Sequence, residues 1–202
     1  NNTSGTSGSQ FSSSKNTTGK WKQTGLNNKT VYALAISGNN PEGSGQVIFA
    51  GTKDYGVYIS TNNGDNWAQT GLNNRTVKAL AISGNIIFAG TDGVGVYLST
   101  NNGKTWKETD LSGEYYVECL AITGKYIFAG VTCCPNGGHL STDNGSSFSR
   151  CGLGYNYVSA FAFSGNNVFA GLEDGVYHST NMSEDWTQTT LKNIFVRTHK
   201  YV

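Results

Sequence analysis

The sequence predicts an all-β fold made of repeated units of four short strands, and three observations support this. An eight-residue word is nearly duplicated, as STNNGDNW at 60–67 and STNNGKTW at 99–106. Two apolar words recur in phase with it, and their first copies are VYALAISG at 31–38 and VIFAG at 47–51. The 202 residues include 27 Gly but only 2 Pro, which indicates many tight turns, and no segment has a helical period.

Each unit is predicted to contain its four strands in a fixed order. The first strand, VxALAIS, is nearly all apolar, so we expect it to be buried on both faces. A turn leads to IFAG, and a second turn leads to a strand such as GVYIST. The eight-residue word then turns the chain into a polar fourth strand such as WAQTGL. Four strands in about 40 residues is the period of a β-propeller blade.

The phase of the repeat divides the chain into a segment 1–13 and a propeller 14–202. Residues 1–13 are rich in Ser, Thr, Gly and Asn, which is typical of a flexible linker. Residues 26–191 supply four full blades. Residues 10–25 have the phase of a third and fourth strand, and 194–202 have that of a first strand, with Val196 at the place of Val31. We therefore expect the chain ends to complete a terminal blade, either in a five-bladed ring or by strand exchange between subunits into a filament.

The eight-residue word resembles the Asp-box of the bacterial neuraminidase repeat, S-x-D-x-G-x-T-W. Further copies are STDNGSSF at 141–148 and STNMSEDW at 179–186; Asn62 and Asn101 replace the Asp that Asp143 retains. The resemblance implies a secreted, non-catalytic β-propeller in which the boxes stabilise the fold. It assigns this structural role to Ser60, Asn62, Gly64, Trp67, Ser99, Asn101, Gly103, Trp106, Ser141, Asp143, Gly145, Phe148, Ser179 and Trp186.

Catalytic chemistry has weak support in the sequence. The resembled sialidases hold a carboxylate with three Arg, whereas Arg75, Arg150 and Arg197 lie in unrelated parts of the repeat. The acids between second and third strands, Asp54, Asp92, Glu173 and Asp174, could form a glycosidase pair but are better explained as solvated turn residues. His139 and His178 fall on opposite faces of equivalent strands, which disfavours a shared metal site. No catalytic residue, metal or cofactor is predicted.

Four cysteines are concentrated in the third unit. Cys119 is on its first strand and Cys151 on its fourth, about 14 Å apart and too far for a bridge. Cys133 and Cys134 lie in an insertion between them. We therefore expect two disulfides, each joining one member of the Cys133/Cys134 pair to one outer cysteine, in an oxidising compartment. Buried reduced thiols and a Cys133–Cys134 vicinal bridge are the alternatives.

Two further sets of residues are surface candidates. N-glycosylation sequons begin at Asn2, Asn16, Asn28, Asn74, Asn144 and Asn181. Loops that share one end of the blades carry Tyr55, Tyr115, Tyr116, Tyr155 and Tyr157, which could contact a glycan or a protein. Packing of these tyrosines on neighbouring loops explains them equally well.

The charge balance excludes some partners. The formal net charge is +1, so the chain lacks the basic footprint of a nucleic-acid-binding protein. No apolar run approaches the ~20 residues of a membrane-spanning helix. The sole Met is Met182, which favours a processed chain or a fragment. We predict a secreted structural or interaction module that binds itself or an extracellular protein or glycan. A lectin is the alternative, and a sialidase-like hydrolase is the third hypothesis.

Overall fold

The computed structural model describes residues 23–38, 46–113, 115–132, 137–154 and 156–192, which form four antiparallel four-stranded sheets. The first blade contains β1 (Val31–Ser37), β2 (Val47–Thr52), β3 (Gly56–Ser60) and β4 (Ala68–Gln69). The second contains β5 (Val77–Ser83), β6 (Ile86–Thr91), β7 (Gly95–Ser99) and β8 (Lys107–Ser112). The third contains β9 (Val117–Thr123), β10 (Tyr126–Val131), β11 (Gly138–Ser141) and β12 (Ser149–Arg150). The fourth contains β13 (Val158–Ser164), β14 (Asn167–Leu172), β15 (Gly175–Ser179) and β16 (Thr187–Lys192).

The strands of each sheet follow sequence order, and their registers repeat from blade to blade. Phe49 pairs with Ala35 and Ile59, and Phe88 pairs in the same way with Ala81 and Leu98. The all-β prediction with four propeller-type blades is therefore confirmed. The first strands β1, β5, β9 and β13 lie side by side, but the four sheets do not close into a ring.

Adjacent blades are joined by a repeated apolar interface. Phe49, Phe88 and Phe128 are almost wholly buried between their own blade and the next one. A valine of the following first strand, such as Val117, packs directly over a glycine. A Cβ placed on Gly90 would lie 2.5 Å from Cγ1 of Val117, so only glycine allows this approach of the blades.

The prediction that the first strands are buried on both faces is wrong. In β5, buried Val77, Ala79 and Ala81 alternate with half-buried residues, whereas β6 is buried from Ile87 to Thr91. A first strand has a sheet neighbour on one edge only and lies at the inner side of the array. A second strand has neighbours on both edges and blades against its faces.

The first blade has an uncovered apolar face, which we call the leading face and define as Val31, Leu34 and Ile36. These side chains are 38%, 66% and 56% exposed. The equivalent valines of the later blades, Val77, Val117 and Val158, are 0% exposed because the preceding blade covers them. Leu80 and Ile82 likewise pack against the core between the first two blades. The first blade therefore presents the same surface with no described blade to cover it.

Candidate functional site

Each eight-residue word forms one compact hydrogen-bonded turn between the third and fourth strands. In the first turn, the Ser60 hydroxyl accepts a bond from the Gly64 amide (2.9 Å) and donates one to Oδ1 of Asn62 (3.0 Å). The same Oδ1 accepts from the Asn66 amide (2.9 Å), and the Trp67 indole donates to the Gly64 carbonyl (3.0 Å). The polar side chains are thus used inside the turn.

The other three turns repeat this geometry with different residues. The first Ser of each turn, Ser99, Ser141 or Ser179, accepts from the amide of Gly103, Gly145 or Ser183. Asn101, Asp143 and Asn181 accept from the amide four residues later. Two left-handed residues form each corner, Asn63 and Gly64 in the first turn, but Met182 and Ser183 in the fourth. Since Met and Ser disfavour positive φ, the fourth corner carries local backbone strain.

Asp143 is the one Asp at the third position of the four described boxes, where the other three have Asn. Its oxygens accept bonds from the Ser147 hydroxyl (2.7 Å) and the Ser147 amide (2.9 Å), and a further one from Ser141. These bonds, with the Ser147 hydroxyl contributing most, lower the pKa of Asp143 to about 2. A carboxylate held as an anion by its own turn is unsuited to act as a general acid near neutral pH.

The turns also contact the preceding blade. The Gly71 amide, at the end of the first blade, donates to the Gly103 carbonyl of the second turn (3.3 Å). The Trp186 indole of the fourth turn donates to the carbonyl of Cys151 in the third blade (2.6 Å). The aromatic residues Trp106, Phe148 and Trp186 pack on the cores between blades. This arrangement suits interblade packing rather than chemistry.

The tyrosines predicted to form one surface differ in exposure. Tyr55, Tyr116 and Tyr157 are 48%, 43% and 40% exposed at the end of the blades away from the Asp-box turns. Tyr115 is half-buried and stands edge-on to His139. The Lys29 ammonium lies 3.6 Å from the ring centre of Tyr55, and Tyr155 lies outside the described residues. Of the four described tyrosines, three are therefore exposed, and Lys29 contacts the ring of one of them.

A charged cluster at the same end was missed by sequence reasoning. The Lys78 ammonium lies 2.6 Å from a carboxylate oxygen of Glu118 and 3.2 Å from one of Asp92. Burial lowers the pKa of Lys78, but the hydrogen bond and charge of Glu118, with Asp92, outweigh it and raise that pKa overall. The signal was present in the sequence, because Lys78 and Glu118 occupy the second position of VKALAIS and VECLAIT. The cluster joins two blades, and its one lysine is shared by two carboxylates.

The other candidate catalytic groups are not brought together. Asp54 accepts a bond from Thr76, and Asp174 accepts one from Tyr177. Arg75 and Arg150 lie in the first and third blades, and Arg197 is outside the described residues. Across the described ranges, no group of three or more His, Cys, Asp or Glu side chains could hold a metal ion.

His139 and His178 occupy different environments. His139 is 5% exposed, and its buried Nδ1 has no hydrogen-bond partner among the described residues. Burial, with the nearby charge of Arg150, lowers the pKa of His139. His178 stacks on Phe169 with ring centres 4.6 Å apart and contacts Oδ1 of Asn167 through Nε2 (2.9 Å). The two imidazoles thus do not share a site.

The two described cysteines are free, contrary to the predicted disulfides. Cys119 and Cys151 both carry free thiols, so neither is bonded to Cys133 or Cys134, which lie outside the described residues. The Cys119 thiol lies over Gly130 and points to the Val158 carbonyl (3.6 Å), and the Cys151 thiol lies over Gly138. Both thiols fill space left by glycines inside the blade interface. Burial raises the pKa of each to about 12.

The described sequons differ in accessibility. Asn28, Asn74 and Asn144 are exposed and have positive φ, as is common for Asn in turns. Asn181 is half-buried, and its Nδ2 donates to Asp185 (3.0 Å), so a glycan there would replace a turn bond. Asn2 and Asn16 lie outside the described residues.

Comparison with known proteins agrees with this geometry. A model of the BNR/Asp-box repeat matches residues 97–108, which contain the second turn. The second turn thus matches the Asp-box repeat, and the four sheets are blades of the β-propeller type. None of the curated proteins compared with the chain matches it. The part of the chain that the structure describes contains no helix able to span a bilayer.

Several solved structures resemble the four described blades. An ancestral GH74 enzyme is 24% identical with a TM-score of 0.68, over 79% of this chain and 24% of that one. The designed Ika4 protein is 17% identical with a TM-score of 0.63, over 79% of this chain and 96% of that one. YCF48 from Cyanidioschyzon merolae is 16% identical with a TM-score of 0.59, over 88% and 61%. The chain thus spans about a quarter of the GH74 enzyme, and these identities show the fold alone.

Proposed function

We propose that this Asp-box protein is a secreted, non-catalytic structural or interaction module whose incomplete terminal blade is completed by chain ends, within one molecule or between molecules. The observation that supports this best is the contact of Gly25 with the first turn. The Gly25 amide donates to the Gly64 carbonyl (3.1 Å), as the Gly71 amide donates to that of Gly103 (3.3 Å). Gly71 follows the fourth strand β4 of the first blade, so Gly25 takes the corresponding place after a preceding fourth strand.

The two outer faces of the array fit the same proposal. Phe128 is buried by Phe161 and Phe163 of the next blade, with ring centres 5.2 and 5.4 Å apart. Phe169, its equivalent in the fourth blade, is only half-buried beside His178. A further first strand would cover Phe169 as β13 covers Phe128. Residues 194–202 have the required phase, but they lie outside the described residues.

Two arrangements would cover these outer faces. If residues 194–202 join the segment before Gly25 of the same chain, a five-bladed ring results. If they join that segment of another chain, the contact is head-to-tail and propagates into a filament. The leading face, with Val31, Leu34 and Ile36, is covered in both arrangements. Unpaired strand edges next to apolar surface are prone to association, which favours completion by one route or the other.

A deletion tests the structural role. Removing residues 194–202 is expected either to destabilise a monomer or to convert a large assembly into monomers, as measured by urea unfolding and light scattering. Deleting residues 1–9 provides the control, since these precede the segment with repeat phase. Equal stability and equal mass for the intact chain and the 194–202 deletion would contradict both arrangements.

The proposal also states that the protein is non-catalytic and that it is secreted. Asp54 and Asp174 accept bonds from Thr76 and Tyr177, Asp143 is bonded within its own turn, and Asp92 is paired with Lys78. Polarity that comes from Asn, Ser and Thr, together with exposed sequons at Asn28, Asn74 and Asn144, supports an extracellular location. We expect no turnover of sialosides or β-glucans, and reproducible hydrolysis would refute the non-catalytic role. Glycopeptide mapping of native material tests the location.

The lectin alternative has one supporting observation, the exposed Tyr116 and Tyr157 on successive blade connections. Aromatic rings of this kind contact glycans and protein partners. If this end binds glycans, Tyr116→Ala and Tyr157→Ala should each weaken glycan-array binding of the intact chain, whereas Tyr177→Ala, half-buried at a third strand, provides a control. Binding unchanged in both variants would exclude this end as the site.

A further inference from the structure

A groove lies at the outer rim of the array, between the first two blades. Its volume is about 490 Å³, and it runs between β4 of the first blade and the Asp-box turn of the second. Its lining includes Asn62, Asn66, Trp67, Gln69, Asn102 and Lys104. We propose that this groove binds a short neutral oligosaccharide.

The groove exists because two positions of the first blade carry small residues. Ala68 pairs with Ile59, whereas Lys107 pairs with Leu98 at the equivalent place in the second blade. Gly71 likewise stands where the second blade has Asp110. The small residues leave open the space that longer side chains would enter. Ala68 is itself exposed, so a lysine there would enter the groove without disturbing a buried contact.

Asn62 and Asn66 lack the side-chain bond that their counterparts make in the second and fourth turns. Nδ2 of Asn101 donates to Thr105 (2.8 Å), and Nδ2 of Asn181 donates to Asp185 (3.0 Å). In the first turn, Asn62 and Asn66 stand at the positions of Asn101 and Thr105. Neither Nδ2 of Asn62 nor the side chain of Asn66 bonds another described residue. The side chain of Asn102 is also without a described hydrogen-bond partner. Three carboxamides in one groove are thus available to a ligand.

This composition suits a saccharide. A carboxamide both donates and accepts, so it can bond a pair of neighbouring hydroxyls. The half-buried Trp67 adds aromatic surface for the apolar face of a sugar ring. The single charged lining residue, Lys104, gives little preference for a polyanion. The volume lies within the ~300–1,000 Å³ of typical small-ligand sites, which accommodates a di- or trisaccharide.

The same composition predicts binding without hydrolysis. Among the described residues, the lining contains no Asp, Glu or His, so these residues offer neither a general acid nor a carboxylate nucleophile for a glycosidic bond. The groove consists of residues between Ile59 and Lys104, so it does not require completion of the terminal blade. The saccharide proposal is therefore independent of the assembly proposal.

Calorimetric titration of the intact chain with cellotriose, xylotriose, mannotriose, maltotriose and triacetylchitotriose tests the groove. At least one trisaccharide should bind, and Ala68→Lys should weaken it by about tenfold or more through steric block. Asn66→Ala should weaken the same ligand severalfold, and Lys107→Ala, which removes the lysine of the second blade, should not. Circular dichroism of each variant confirms folding, and light scattering of the same samples reports assembly separately.

Two results would overturn the proposal. One is the absence of binding by all five trisaccharides at about 10 mM, a concentration that detects even millimolar affinity. The other is binding that Ala68→Lys leaves unchanged, which would place the saccharide elsewhere, for example at Tyr116. Capture of a peptide by the groove in the absence of saccharide binding would equally refute it.

Discussion

Replacing Gly90 by alanine tests how closely the second and third blades pack. The added Cβ would lie 2.5 Å from Cγ1 and 2.9 Å from Cβ of Val117, and 3.3 Å from Cβ of Ala79. Overpacking of this kind costs about 1–3 kcal/mol. The φ of Gly90 is not in the left-handed region, so the lower entropy of the unfolded variant chain offsets about 0.4–1 kcal/mol. We expect Gly90→Ala to lower the free energy of unfolding by about 1–2 kcal/mol.

A second substitution at Val117 makes this prediction specific. Val117→Ala removes two buried methyl groups and leaves a small cavity, which should cost about 2 kcal/mol. In the double variant, the methyl group introduced by Gly90→Ala occupies part of that cavity. The double variant should therefore lose about 2 kcal/mol rather than the roughly 3–4 kcal/mol of the summed single changes.

Urea unfolding monitored by tryptophan fluorescence at a fixed protein concentration measures the intact chain and the three variants of this cycle. The third blade provides a matched control, because a Cβ on Gly130 meets the carbonyl of Val158 rather than its side chain. Val158→Ala should give no rescue of Gly130→Ala. Additive energies within about 0.5 kcal/mol for Gly90 and Val117 would refute the proposed contact.

Three further predictions concern the Asp-box turns, His139 and the thiols. Trp106→Ala should lower the free energy of unfolding by about 3 kcal/mol through lost interblade packing, and Asn62→Ala should lower it by about 1 kcal/mol through a lost turn bond. An unchanged melting temperature for the Trp106 variant would contradict the packing role. The pKa of His139 in the folded protein lies below its ordinary value near 6.5, so His139 should reduce the free energy of unfolding as the pH falls below about 6.5. His139→Leu should remove this part of the pH dependence, as unfolding titrations would show. Cys119 and Cys151 should resist iodoacetamide at about pH 8 in the native protein and react after unfolding, as peptide mapping would show; rapid native labelling of either would contradict its burial.

The sequence by itself determined the repeat, the strand order and the place of each Asp-box turn. These follow from local chemistry: the apolar words, the Asn-Gly corners such as Asn63–Gly64, and a hydroxyl that bonds an amide four residues away. The apolar words and the hydroxyl–amide bond recur in all four units, and the Asn-Gly corner recurs in three of them. That repetition explains why the fold was predictable to the level of single strands.

The tertiary structure decided which faces are covered and which groups meet. Sequence words that look alike, such as VYALAIS and VKALAIS, have different burial because only the second has a described preceding blade. The Lys78–Glu118 pair, the separation of Tyr115 from the exposed tyrosines and the free thiols of Cys119 and Cys151 depend on neighbouring blades. The groove beside Trp67 depends on Ala68 and on the Asp-box turn of the next blade. Contacts between units are set by the angle and spacing of whole sheets, which no single repeat encodes.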